Sequence, residues 1–158
     1  MLRLRVSKAR WQLWLFDEER LLFSCPVGLG RSPLGHKQRE GDGRTPEGCY
    51  RICTRNAQSR FHLALGISYP NAADARAALA RGEIMHAQAE AISAAEAAGQ
   101  RPPWDTPLGG QIMHHGQKPG AESQACQDWT AGCINLADPD MEQLWELCPL
   151  GTEIEILP

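Results

Sequence analysis

Both ends of the chain alternate. LRLRVSK at 2–8 and TEIEIL at 152–157 place apolar residues at every second position. That is the period of a strand with one buried face, and such strands need sheet partners. WQLWLF (11–16) repeats the pattern, DEER (17–20) reads as a turn, and LLFSCPV (21–27) follows, which makes a β-meander. CYRICT (49–54), RFHLALGI (60–67) and QIMHH (111–115) read as further strands. Residues 28–48 are rich in glycine and read as a long, turn-rich connection. Residues 71–98 are rich in alanine and predict helix, with Asn71 or Asp74 as cap, Gly82 as interruption and Gly99 as stop. DPDMEQLWEL (138–147) predicts a short helix with Asp138 as N-cap and Pro139 in its first turn. The expected fold is mainly β with helical insertions, a sandwich or partly open barrel. One domain is expected over residues 1–158, with 71–108 an insertion that either covers a sheet edge or acts as a lid.

Net charge is −3, so no overall basic field attracts nucleic acid or anionic lipid. The opening residues carry neither the apolar run nor the small-residue cleavage site of a secretory leader, and no apolar stretch reaches membrane-spanning length. The expectation from these features is a cytoplasmic protein with its six cysteines as thiols, or a periplasmic one if the true start lies upstream. No CxxC or HxxxH spacing occurs, so no metal site is expected. The GRSPLGHK stretch has the start of a phosphate loop but lacks its Lys-Ser/Thr ending.

One stretch calls for chemistry. DWTAGCINL (128–136) sets Cys133 after Gly132, with Thr130 before it and Asn135 after it. A core cysteine needs none of this company. A free thiol is only a few per cent thiolate at neutral pH, and a nearby imidazole can take its proton and hold an ion pair. His114 and His115 end a strand and precede Gly116, where the backbone can turn close to a ligand. Gly132 would let substrate approach, and N–H groups around Gly132 and Cys133 could point at an oxyanion. Thr130 could bond a backbone or substrate carbonyl. Asn135, two residues past Cys133, shares its face in an extended segment. Arg31, Lys37, Arg39 and Arg44 are either solvated charges or receivers for an acidic substrate. Trp129 is either a packing anchor or a substrate platform.

HHG followed by TAGCIN resembles the signature of the L,D-transpeptidase catalytic domain, or YkuD, family: His115-Gly116, a gap, then Thr130-Ala131-Gly132-Cys133-Ile134-Asn135. GDGRTPEGCYRI (41–52) is similar to the family's Thr-Pro-x-Gly strand entry and GTEIEIL to its last strand. The resemblance implies a cysteine acyl-transfer enzyme acting on peptidoglycan stem peptides or muropeptides. Cys133 would be its nucleophile and His115 its base. Gly132, Thr130, Asn135 and Gly116 would position substrate and oxyanion, with His114, Arg44, Arg31 and Trp129 as further binding candidates. No cofactor is implied. A chain confined to the cytoplasm would meet soluble muropeptides, which points to an L,D-carboxypeptidase of muropeptide recycling. The alternatives are wall cross-linking or D-amino-acid exchange, and a non-catalytic peptidoglycan-binding module.

Overall fold

The computed structural model describes residues 1–158. The N-terminal alternation forms an antiparallel meander of β1 (Leu2–Ser7), β2 (Gln12–Asp17) and β3 (Arg20–Pro26). Leu4, Val6, Leu13 and Leu15 are fully buried on its inner face. The closing alternation, β8 (Glu153–Leu157), pairs parallel with β1 and buries Ile154 and Ile156. The two ends of the chain thus meet at the centre of the sheet.

Strand β4 (Gly48–Ser59) is longer than its sequence signal. It pairs first with β8 and then with β5 (His62–Ile67), and its register shifts between Ile52 and Thr54. A bulge bends a strand and raises its twist. Here it turns one half of the sheet against the other. The short strands β6 (Met113–His115) and β7 (Ile134–Asn135) complete the order β3-β2-β1-β8-β4-β5-β6-β7. Bridges from Gly28 to Asn135 and from Gly30 to Thr130 then bring the segment after β3 back to β7. The fold is mainly β, a curled, half-open barrel with helical insertions, as expected.

The alanine-rich insertion folds as a helical hairpin, α1 (Ala72–Ala80) and α2 (His86–Ala97). Asn71 caps α1 through the Asp74 N–H, and Asp74 returns a bond to the Asn71 N–H. Gly82 and Gly99 take positive φ after each helix, the conformation in which glycine ends helices without strain. Helix α3 (Asp138–Leu147) lies against β5. Its N-cap is Ala137, one residue before the expected Asp138. The Asp138 carboxylate instead accepts the Gln117 N–H at 2.8 Å, tying α3 to the loop after β6.

The glycine-rich connection is not loose. The Lys8 ammonium, buried beneath it, donates to the carbonyls of Gly35 and Thr45 (both 2.8 Å) and to Glu47. The Thr45 hydroxyl accepts the Gly30 N–H at 2.9 Å. The Asp42 carboxylate gathers the N–H groups of Gln38, Arg39 and Arg44 and the Lys37 ammonium. These bonds fix residues 30–45 internally, and the Arg31 N–H joins them to the motif turn by donating to the Thr130 carbonyl at 2.9 Å.

Candidate active site

Strands β6 and β7 run parallel, with His114 opposite Ile134 and His115 opposite Asn135. Cys133 lies one residue before β7. The Met113 N–H donates to its Sγ at 3.3 Å, and the thiol points at the Gln111 carbonyl at 3.4 Å. Side chains alternate along a strand, so Met113 and His115 share one face with Cys133. His115 and Cys133 are then diagonal neighbours across the pair. Sγ makes no hydrogen bond to the imidazole in this resting arrangement.

The His115 ring has a defined proton. Its Nδ1 lies 2.7 Å from the Gly116 carbonyl. A carbonyl only accepts, so Nδ1 carries the hydrogen and neutral Nε2 carries the lone pair. Phe61 stacks on the ring at 4.5 Å and 24°, and Trp129 leans on it at 5.8 Å. Burial lowers the imidazole pKa, and the bond to Gly116 offsets this only in part. Burial likewise pushes the Cys133 thiol up, against weaker opposing pulls from the Met113 N–H and the Lys37 ammonium. Both shifts favour the uncharged forms. These directions work against the resting ion pair that the sequence suggested. Low local dielectric penalises two separated charges that nothing yet stabilises.

The motif turn is built from Thr130. Its hydroxyl accepts the Gly132 N–H at 3.2 Å and lies against the carbonyls of Leu29 (3.2 Å) and Cys133 (2.6 Å). Thr130 is buried, so it shapes the turn and does not reach a substrate carbonyl. The Gly132 N–H is committed to it and is not an oxyanion donor. The Cys133 N–H has no hydrogen-bond partner in the chain. Gly132 itself adopts φ +143°, and an added Cβ would stand 2.6 Å from the Arg44 carbonyl. The glycine therefore makes room for the chain's own loop, where the sequence suggested substrate. Gly132→Ala is expected to cost about 1–3 kcal/mol and to lower the melting temperature; an unchanged melting curve would show that this loop yields freely.

Several other sequence candidates take structural places. Asn135 is fully buried. Its amide donates to the Gln127 carbonyl (2.8 Å) and accepts from the Cys126 N–H (2.8 Å) and Gln117 Nε2 (3.0 Å). Through these bonds it orders the 117–127 loop, and its side chain is closed off from the surface. Gly116 also serves packing, since an added Cβ would lie 2.4 Å from Asp138 Oδ1. His114 is on the opposite face, in register with buried Leu65 and Ile134. Neither of its ring nitrogens has a partner, and burial holds its pKa down at about 3. It is a core residue and not a binding residue.

Arg31 staples its own loop through the Gly41 carbonyl. Trp129 packs on His115 and Phe61 and donates its indole N–H to Gln124, as an anchor would. The Arg44 guanidinium has no carboxylate partner and its side chain makes no hydrogen bond, while its carbonyl lies against Gly132. Lys37 is 3% exposed and paired with Asp42 at 2.9 Å, so the reading of it as a solvated charge is corrected. The sequence marks Phe61 and Gln111 only as strand residues and gives no sign of their place beside the thiol and imidazole. The positive φ of Gln111 carries no sequence signal, and a ring stacked across a β-turn has no fixed spacing to its target.

Two depressions lie in the surface nearby, and neither is lined by Cys133 or His115. One, of about 830 Å³, lies between α2 and residues 100–105 and reaches Gln111. The other, of about 450 Å³, includes Ser32, Gln38 and Arg44. A further cleft of about 430 Å³, lined by Arg3, Arg51 and Glu96, does not include any residue of the motif. No three His, Cys, Asp or Glu side chains gather as metal ligands would.

The family model for the L,D-transpeptidase catalytic domain, YkuD, matches residues 2–156. A 60-residue stretch is 37% identical to the putative L,D-transpeptidase YafK of Escherichia coli K12, covering 37% of this chain and 24% of that protein. The fold is similar to the helical cell shape determining protein Pgp2 of Campylobacter jejuni, with TM-score 0.64, 20% identity, and coverage of 98% of this chain and 46% of that one. It is also similar to Mycobacterium tuberculosis L,D-transpeptidase 1, with TM-score 0.54, 12% identity, and coverage of 99% and 61%. At those identities the structures speak for the fold alone. The chain spans less than two thirds of the length of each of these relatives. The match over 2–156 shows that the chain belongs to the L,D-transpeptidase catalytic domain family.

Proposed function

We propose that the chain is a cysteine acyl-transfer enzyme acting on peptidoglycan stem peptides, with Cys133 as nucleophile and His115 as base. The observation that carries this is one imidazole, its tautomer fixed by Gly116, on the same sheet face as a half-buried thiol. Substrate would bring the pair into use. The Cys133 proton passes to His115 Nε2 as sulfur attacks the carbonyl between the third residue and the D-residue after it. The oxyanion forms beside the free Cys133 N–H. As the C–N bond breaks, His115 returns the proton to the leaving amine, and a thioester remains on Cys133. Water then attacks, its proton goes to His115 and on to the departing sulfur, and the carboxylate product leaves.

Water as acceptor makes this an L,D-carboxypeptidase that trims tetrapeptides to tripeptides. The proposed setting is the cytoplasm, where recycled muropeptides are donors. A second reading is transfer to a peptide amine, which the depression that reaches Gln111, whose carbonyl contacts the Cys133 thiol, has room to receive. Incubating the protein with a stem tetrapeptide, with and without an acceptor amine, separates them. Tripeptide and free D-amino acid formed at a rate indifferent to the amine is the expected result. Product carrying mostly the amine would reject the hydrolytic reading in favour of transfer.

A further inference from the structure

We propose that Phe61 is a positioning residue for His115, holding the imidazole plane and sharing the positive charge that forms on it during acyl transfer. Phe61 sits in the short turn between β4 and β5, far in sequence from the motif. Its ring lies 4.5 Å from the His115 ring at an interplanar angle of 24°, close to parallel. Trp129 meets the same imidazole at 53°, and the Phe61 and Trp129 rings are 5.7 Å apart. A rotation of the imidazole about its Cβ–Cγ bond would have to displace one of these rings. It would also break the Nδ1 bond to Gly116 that leaves Nε2 as the base.

The stack has a second consequence. A flat cation over an aromatic face is attracted by the ring quadrupole. The neutral imidazole gains little from this, and the imidazolium gains more. The stack therefore strengthens as the proton leaves the thiol, so it acts on the transition state more than on the bound ground state. No carboxylate is bonded to His115 to play this part. Asp138 reaches toward Gly116 but is engaged by the Gln117 N–H, and Lys118 and Arg60 stand 5.4 and 5.3 Å from the Phe61 ring. Cys133 and the neutral, opposite-facing His114 complete the titratable surroundings.

Phe61→Leu keeps the apolar bulk and removes the aromatic face; Phe61→Tyr keeps both. NMR titration of the His115 imidazole needs no substrate. Its pKa is expected to fall by about half a unit in Phe61→Leu, the equivalent of a weak cation–π contact, and to return in Phe61→Tyr. In turnover, the part that rests on the proposed function, Phe61→Leu is expected to lose about tenfold in kcat with KM unchanged. A His115 pKa unmoved in folded Phe61→Leu protein would overturn the proposal, as would a pKa or kcat that Phe61→Tyr fails to restore. Absence of turnover in the unmodified protein would count against the proposed function alone, because the titration still decides the role of Phe61.

Discussion

Cys133→Ala is expected to abolish acyl transfer, lowering turnover by at least about 10⁴-fold, as loss of a covalent nucleophile does elsewhere. No nearby group replaces it. Cys126, the next thiol along the chain, donates to the Pro26 carbonyl and does not share the Gln111 and Met113 contacts of Cys133. The variant should fold, because Cys133 is half-buried and its side-chain bonds are the two weak sulfur contacts. Peptide affinity should survive. That combination, affinity kept and turnover gone, separates an enzyme from a peptidoglycan-binding module, for which turnover would be absent from the start. Steady-state hydrolysis of a stem tetrapeptide beside calorimetric binding of the tripeptide reads both quantities.

The second large effect distinguishes two adjacent histidines. His115→Ala is expected to reduce turnover by about 10²–10⁴-fold, the usual worth of a placed general base. His114→Leu is expected to leave turnover intact and to raise stability by about 1 kcal/mol, because it removes a buried imidazole with both nitrogens unbonded. For a chain of this size that is roughly 2–4 °C in melting temperature. The pH dependence follows from the same residue. Folded His114 titrates near 3 and an unfolded histidine near 6.5, so between those values the unfolded chain binds the extra proton. Stability is therefore full above pH 6.5 and is lost as pH falls toward 3. His114→Leu should flatten that slope. If His114→Leu removed activity and His115→Ala did not, the assignment of faces would be reversed.

The shifts at Cys133 and His115 make a further expectation for the reaction itself. His115 must be unprotonated to accept the thiol proton, and burial lowers its pKa. The acid limb of kcat/KM should then lie below the ordinary histidine value. The Cys133 thiol, raised by burial, should react with iodoacetamide slowly at neutral pH and faster as pH climbs past 9. A fast, pH-independent alkylation near pH 6 would mean a preformed thiolate–imidazolium pair.

Most of the architecture was legible because it depends on local signals. The alternation in residues 2–8 and 152–157 marks two strands, and the density of alanine with Gly82 and Gly99 marks a helical hairpin. The parallel pairing of β1 with β8 is not legible, since period two says which residues face inward and not which strand lies alongside. The same limit applies to the site. Alternation implies that His114 and His115 face opposite ways, and only the curl of the sheet decides which face is core. Asn135 was placed on the face of Cys133, but its partners come from residues 117, 126 and 127, a loop without periodicity. Lys37 looked solvated because its partner Asp42 is five residues on in a loop, where no helix or strand fixes their geometry.

The central claim is that the sulfur of residue 133 becomes acylated. Intact-protein mass spectrometry of the unmodified chain, acid-quenched within the first turnovers of a stem tetrapeptide, tests it most directly. The account predicts an adduct with the mass of the tripeptidyl group, located by peptide mapping on Cys133, sensitive to hydroxylamine and absent from Cys133→Ala. Product released with no adduct in the unmodified protein at any quench time, and undiminished by Cys133→Ala, would contradict it.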